Sequence, residues 1–232
     1  MAPSVGAPGT RTGPVALTLA VVVGVDVHAT LPGVLDQLPV QAIVVDDGSQ
    51  PPLEGATHRH SRNQGYGAAQ KTGYRAALDA GAERILLIHG DGQYAVPDVL
   101  ALSDALDQAD IVLGSRFLGP DRGAVVPWWR RTANRGLTAL GNRLLGTSLS
   151  EMHTGARAYR AEALRSIPFG DFSDDYVFDQ QLIAAMARGG LRFAERPVRA
   201  SYGPNYQSIG LGRSILYGLG CVRVLAQRRP SR

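Results

Sequence analysis

Four short, almost unbroken runs of apolar and β-branched residues, at 17–25, 42–45, 85–88 and 111–113, set the strongest limit on what this chain can fold into. Strands with one wet face alternate apolar and polar residues; strands covered on both faces read as continuous apolar runs. Helix-forming stretches separate several of them. Residues 67–80 end at Gly81, and 97–108 carry Pro97 near the first turn with apolar residues at Val99, Leu100, Leu102 and Leu106. Strands that alternate with helices need crossover connections, so the pattern predicts an α/β fold with a mostly parallel sheet flanked by helices.

The second half is less regular. Helices are expected over 127–145 and 176–188, the latter stopped by Gly189-Gly190, followed by a short strand at 191–195 that Pro197 ends and a last helix over 209–227. With 232 residues, 44% of them hydrophobic, the chain can build one large core, and no internal linker is long enough to divide it. The expected organisation is a flexible Gly/Pro-rich leader at 1–14, a single domain at 15–208, and a basic C-terminal helix or tail at 209–232.

Two of the strands run directly into acidic turns. Val44-Val45 leads into Asp46-Asp47-Gly48-Ser49, and Leu86-Leu87-Ile88 into His89-Gly90-Asp91-Gly92-Gln93. In open parallel sheets, ligands bind outside the carboxyl ends of the strands, so the two turns should face one crevice. Asp-Gly pairs also make plain turns, but two on successive strands point to a ligand. A hard oxygen donor such as Asp91 suits Mg2+ or Mn2+, which neutralises a diphosphate, while an upstream Asp can hydrogen-bond a nucleoside.

The ordered set of motifs resembles the family 2 glycosyltransferases of the GT-A (Rossmann-like) fold, in particular the dolichyl- and polyprenyl-phosphate sugar synthases. Its members, in chain order, are Val44-Val45-Asp46-Asp47-Gly48-Ser49, Asn63-Gln64-Gly65-Tyr66-Gly67-Ala68-Ala69, His89-Gly90-Asp91-Gly92-Gln93-Tyr94, Gly114-Ser115-Arg116-Phe117, His153-Thr154-Gly155-Ala156-Arg157-Ala158-Tyr159 and Phe178-Asp179. The resemblance implies a metal-assisted, inverting transfer from a nucleotide-diphosphate sugar to a polyprenyl phosphate or to a hydroxyl of a glycan or natural product. It implies a nucleotide site around Asp46, Asp47, Gly48, Ser49, Asn63 and Gly67, and a Mg2+ or Mn2+ site at Asp91 and Gln93. His89 stands where the family more often has Asp. It either ligates the metal through a neutral nitrogen or donates a hydrogen bond, and the second reading is preferred. Arg116 and the pair Arg130-Arg131 near the start of the next helix carry guanidinium forks suited to phosphate oxygens, and the resemblance implies acceptor-phosphate ligands at comparable places, with Arg116 and Arg131 as the candidates. For a hydroxyl acceptor the matching general base is Asp179, with Asp175 and Asp174 as neighbours; a phosphate acceptor, already an anion, needs none. One departure stands out: the family's Pro-x-x-Asn-Glu after the first strand is replaced by Gly24-Val25-Asp26-Val27-His28.

The net charge of +4 does not indicate a nucleic-acid binder, because the excess is local. After Glu195 there is no acidic residue, while arginines stand at 196, 199, 213, 223, 228, 229 and 232. Interleaved with Leu211, Ile215, Leu216, Leu219 and Val222, they suit either a terminal helix packed on the domain or peripheral attachment to an anionic membrane. The lone Cys221 excludes an internal disulfide and points to a cytoplasmic setting. The apolar run at 17–25, closed by Asp26, is too short to span a bilayer; a secretory segment is the lesser alternative to a buried first strand. Competing functions are a sugar-phosphate nucleotidyltransferase, whose Gly-rich phosphate loop is missing after the first strand, and a non-catalytic nucleotide-sugar-binding protein.

Overall fold

A computed structural model describes residues 16–119, 126–201 and 211–227. The proposed leader at 1–14 and the tail arginines 228, 229 and 232 lie outside the described residues.

The strands are β1 (Thr18–Gly24), β2 (Ala42–Asp46), β3 (His58–Arg59), β4 (Arg84–His89), β5 (Ile111–Ser115), β6 (Arg157–Arg160) and β7 (Phe193–Pro197), in one seven-stranded sheet of order β3-β2-β1-β4-β6-β5-β7. All neighbours run parallel except β6, which is antiparallel to both β4 and β5. The helices are α1 (Leu31–Leu35), α2 (Tyr66–Asp79), α3 (Val96–Leu100), α4 (Leu102–Ala105), α5 (Trp128–Leu145), α6 (Ala161–Arg165), α7 (Phe178–Arg188) and α8 (Leu211–Ala226).

The continuous apolar runs are explained by burial on both faces. In β1, Leu19, Val21 and Val23 join one core cluster with Tyr74 of α2 and Phe178 and Leu182 of α7. The alternate residues Ala20 and Val22 join the other, with Leu31 and Val34 of α1, Val99 of α3 and Leu102 of α4. At about 25 cal/mol per Å2 of apolar surface, each such Val or Leu contributes about 1.5–3 kcal/mol against exposure.

Three expectations change. The single helix expected over 97–108 is two short ones: the Ser103 hydroxyl donates to the Leu100 carbonyl at 2.9 Å, a local bond that competes with the helical ladder at Ala101. β6 was not expected from its sequence, Arg-Ala-Tyr-Arg, because its charged Arg157 is fully buried in an ion pair. β7 is shifted two residues from the expected 191–195: it ends on Pro197 itself, which pairs in register with Ser115 on the edge of the sheet, without a strand beyond it. The C-terminal helix α8 packs against α5 and α7, burying Cys221, Val224 and Leu225.

Candidate active site

Register places the two acidic turns on either side of β1. Gly24 pairs with Asp46 and Val23 with His89, so β2 and β4 flank the end of β1. With strands about 4.8 Å apart, the turns are separated by about 10 Å, a span suited to a nucleotide's pyrophosphate region. A cleft of about 890 Å3 opens there, lined by Asp26, Asp47, Asn63, Gly65, Tyr66, His89, Asp91 and Asp175 among others.

The two aspartates of the first turn do different work. Asp46 is fully buried and does not line this cleft; its carboxylate accepts from the Ser49 and Leu53 backbone N–H groups at 2.8 and 3.1 Å and from Arg59 Nε at 3.2 Å. Burial would raise its pKa, but these hydrogen bonds outweigh it and hold the carboxyl below its usual value. Asp46 is therefore the organiser of the turn and does not face the crevice, contrary to the expected nucleoside contact. Asp47 reaches the cleft, and it clamps the loop before α2 by accepting from the Gln64 and Gly65 N–H groups, both at 2.9 Å, with His60 Nδ1 at 2.7 Å.

Gly48 and Ser49 are scaffold. Gly48 has φ +85°, and a Cβ there would collide with the Arg62–Asn63 backbone. The Ser49 hydroxyl accepts from the Asp26 N–H at 2.8 Å, while Asp26 Oδ1 accepts from the Gln50 N–H at 3.1 Å. This exchange ties the β1 end to the β2 turn in the region that departs from the family's usual Pro-x-x-Asn-Glu. Asn63 is exposed on the cleft; Gly67, at the start of α2, is buried and donates its N–H to the Asp174 carbonyl at 2.8 Å.

In the second turn, Asp91 is half-buried, lines the cleft and accepts from the Gln93 N–H at 2.9 Å. His89 is packed as an imidazole. Its Nε2 shares a 2.8 Å hydrogen bond with the Tyr66 hydroxyl, and its ring meets Tyr66 and Tyr94 edge-on at 5.3 and 5.5 Å. Burial lowers its pKa and burial raises that of Tyr66, so both are neutral near pH 7. In this geometry Nε2 is engaged by the Tyr66 hydroxyl. Among the described residues no three His, Cys, Asp or Glu side chains group as a cation cage. A single carboxylate at a phosphate-sized cleft nonetheless fits Mg2+ or Mn2+, which are commonly held by one or two carboxylates plus substrate phosphates.

Tyr66, His89, Tyr176 and Tyr217 form a wall shared with a second cavity of about 200 Å3. This smaller cavity is lined by Gln93, Arg116, Arg130, His153 and Asp179. Arg116 is buried and not simply presented to a ligand: its Nε donates to Glu151 at 2.8 Å, its guanidinium forms an ion pair with the same carboxylate, and Nη2 donates to the His153 carbonyl at 2.9 Å. Arg131 lines neither cavity; its helix neighbour Arg130 lines the smaller one. Asp179 accepts from Gln70 at 2.9 Å and pairs with the fully buried Arg157 at 3.1 Å, so both of its oxygens are engaged. Asp175 is exposed on the larger cleft and accepts from the Val177 N–H at 2.8 Å, a local turn just before α7.

Residues 25–167 match the family described as glycosyl transferase family 2. The chain belongs to this family, and its fold is GT-A. Polyprenol monophosphomannose synthase of Mycolicibacterium smegmatis is 29% identical over 175 residues, covering 68% of this chain and 66% of that protein. An undecaprenyl-phosphate mannosyltransferase of Micrococcus luteus is 27% identical over 184 residues, 73% of this chain and 75% of that protein. Glucosyl-3-phosphoglycerate synthase from Mycobacterium tuberculosis, solved with Mn2+ and uridine-diphosphate-glucose, superposes with a TM-score of 0.64 at 17% identity, covering 90% of this chain and 78% of that one. The same synthase has also been solved with Mg2+ and uridine diphosphate.

Residues that the sequence left outside the site enter it here: Tyr176 and Tyr217 in the shared wall and His153 in the smaller cavity. Only His153 carried a signal, through its place in the His-Thr-Gly-Ala-Arg motif.

Proposed function

We propose that this glycosyltransferase moves a sugar from a nucleotide diphosphate to a polyprenyl phosphate, with the nucleotide in the acidic cleft and the acceptor phosphate in the basic cavity. The observation that carries the reading is the shared wall of Tyr66, His89, Tyr176 and Tyr217, which puts an acidic cleft and an arginine-lined cavity back to back. The named lipid-phosphate transferases among its relatives support the acceptor class.

Asp91 is the residue that would hold Mg2+ or Mn2+, with Gln93 close by; when bound, the cation neutralises the diphosphate and so improves it as a leaving group. Asp47, Asn63 and the Gly65 loop would receive the nucleoside end. Arg116 and Arg130 attract the acceptor's phosphate and orient one of its oxygens toward the anomeric carbon. That oxygen is already anionic, so no side chain has to remove a proton. Asp179 then acts by orienting Arg157 and Gln70. A hydroxyl acceptor would need Asp179 as base, and the engagement of both its oxygens favours the phosphate. A cytoplasmic enzyme working at the membrane surface is the setting this implies.

The test is transfer from a panel of nucleotide sugars, with Mn2+, to polyprenyl phosphate and to the corresponding alcohol. Transfer to the phosphate and not to the alcohol is expected, with Asp91→Ala lowering it at least about a hundredfold. The melting temperature should hold, since Asp91 makes one local hydrogen bond at a half-exposed turn. Transfer to the alcohol alone, or near wild-type turnover in Asp91→Ala, would overturn the assignment.

A further inference from the structure

Of the four residues in the wall between the two cavities, three are half-buried and fastened by their polar atoms. Tyr66 shares its hydroxyl with His89 Nε2 at 2.8 Å, and the Tyr217 hydroxyl lies 2.8 Å from His153 Nδ1. Tyr176 is the exposed member of the four, at 42%. Because it lines both cavities and faces water, it forms the open rim of the wall, the place where a group can reach from one cavity to the other without displacing a packed ring.

Exposed as it is, this ring is held firmly. It stacks on Tyr66, with centroids 5.2 Å apart and planes 26° from parallel. Its loop is fastened to the start of α2, where the Asp174 carbonyl accepts from the Gly67 and Ala68 N–H groups at 2.8 and 3.2 Å. Lys71, the one lysine of the chain, is buried; it pairs with the Asp174 carboxylate at 2.6 Å and donates to the Phe172 carbonyl at 2.8 Å. On the other side of the ring, Asp175 Oδ1 accepts from the Val177 N–H at 2.8 Å. A large aromatic side chain fixed in one orientation at the edge of a cleft is a surface prepared for a ligand, because little ordering entropy is left to lose on contact.

We propose that Tyr176 is a sugar-binding residue, its ring the platform on which the C–H face of the transferred hexopyranose rests while the anomeric carbon stands at the junction of the two cavities. The inference rests on the sugar-transfer reading, in which the diphosphate lies in the large cleft and the acceptor in the small one, so that the sugar between them crosses the rim. A pyranose has a face of clustered C–H groups, suited to an aromatic ring, and an edge of hydroxyls. The hydroxyls suit Asp175, next in the chain and exposed on the same cleft, since a carboxylate only accepts. Among the described residues, those lining the large cleft include Asp26, Asp47, Asp91 and Asp175 and no Lys or Arg. An uncharged hexose fits such a lining, and a uronic acid is disfavoured by like charge.

The experiment is calorimetric titration of the full chain, in Mn2+, with a panel of uridine- and guanosine-diphosphate hexoses, their uronic-acid counterparts and the two free nucleoside diphosphates. For the nucleotide sugar that the wild type binds most tightly, Tyr176→Ala should weaken binding about tenfold while the matching nucleoside diphosphate changes by less than about twofold. Tyr176→Phe keeps the ring and should stay within about twofold for both. A residue that merely shapes the loop would weaken both ligands together, so the split between them is the readout. Thermal melts establish that each variant folds; if Tyr176→Ala does not, Tyr176→Leu, which keeps apolar bulk without a planar ring, takes its place with the same expectation. Equal losses for both ligands, no loss for either, a loss in Tyr176→Phe matching that in Tyr176→Ala, or tightest binding of a uronic acid would overturn the proposal and leave the sugar-transfer reading standing. A wild type that binds no nucleotide sugar would overturn both.

Discussion

The imidazole of His153 gives the basic cavity a measurable signature. Burial pushes its pKa down, and the nearby guanidinium groups of Arg157 and Arg116 push it further, from 6.5 to about 3. In the unfolded chain the ring takes up a proton near pH 6.5; in the folded chain it stays neutral until about pH 3. The unfolded state therefore binds more protons throughout this window, and stability falls as pH drops below 6.5 and goes on falling toward 3. Each unit is about 1.4 kcal/mol, so acidification from above 6.5 to 4.5 removes about 2.7 kcal/mol through this residue alone. For a chain of this size that corresponds to roughly 5–10 °C in melting temperature. His153→Gln keeps a polar group able to meet the Tyr217 hydroxyl but cannot titrate. Melting curves of the two proteins between pH 7.5 and 4.5 should diverge by this amount, the variant losing less. All carboxylates, and the similarly depressed His89, are common to both proteins and cancel in the difference. Parallel profiles would refute the buried, cation-facing placement of His153.

Three further outcomes follow from the same contacts. Asp179→Ala leaves the Arg157 guanidinium buried without its carboxylate and should cost about 3–5 kcal/mol by chemical denaturation, far more than a surface aspartate. Gly155→Ala drives a Cβ into the His89 ring, which must shift against Tyr66 and Tyr94; a loss of about 1–3 kcal/mol and a raised donor KM are expected, with thermal melts and initial rates as the readouts. Since Asp91 is the one carboxylate of its turn, Mn2+ alone should bind weakly and at least about tenfold more tightly with uridine diphosphate present, measured by calorimetry; equal affinity in both conditions would place the ion elsewhere.

The strands and most helices were legible because double-sided burial leaves a plain mark: β1, β2, β4 and β5 are the runs in which every other residue feeds one of two cores. β6 was illegible for the opposite reason. Its stability in the sheet depends on Arg157 finding Asp179, a residue on α7 that no local pattern ties to it. The split between α3 and α4 turns on one hydroxyl, Ser103, and periodicity carries no information about that choice. The site divides along the same line. Sequence located the turns, since Asp-Gly pairs at strand ends are local, but could not say which carboxylate faces the ligand. That is decided by Arg59 and Leu53 for Asp46 and by the Gln64–Gly65 backbone for Asp47. Arg130 and Arg131 are adjacent in sequence, and only helix rotation against α8 selects Arg130 for the cavity.

His89 shows how a departure from the family's usual residue can be absorbed. An aspartate there would bring a second hard ligand to the cation, and a second negative charge to a buried wall. The imidazole instead is held by the Tyr66 hydroxyl, by two edge-on aromatic rings and by the absence of a side chain at Gly155. It thus contributes a neutral ring to the wall shared by the two cavities. Asp47 and Asp91 line the larger cavity, and Arg116 and Arg130 line the smaller one. Among the described residues that line the larger cleft there is no Lys or Arg, so under the proposed function a divalent cation at Asp91 would supply the main positive charge there.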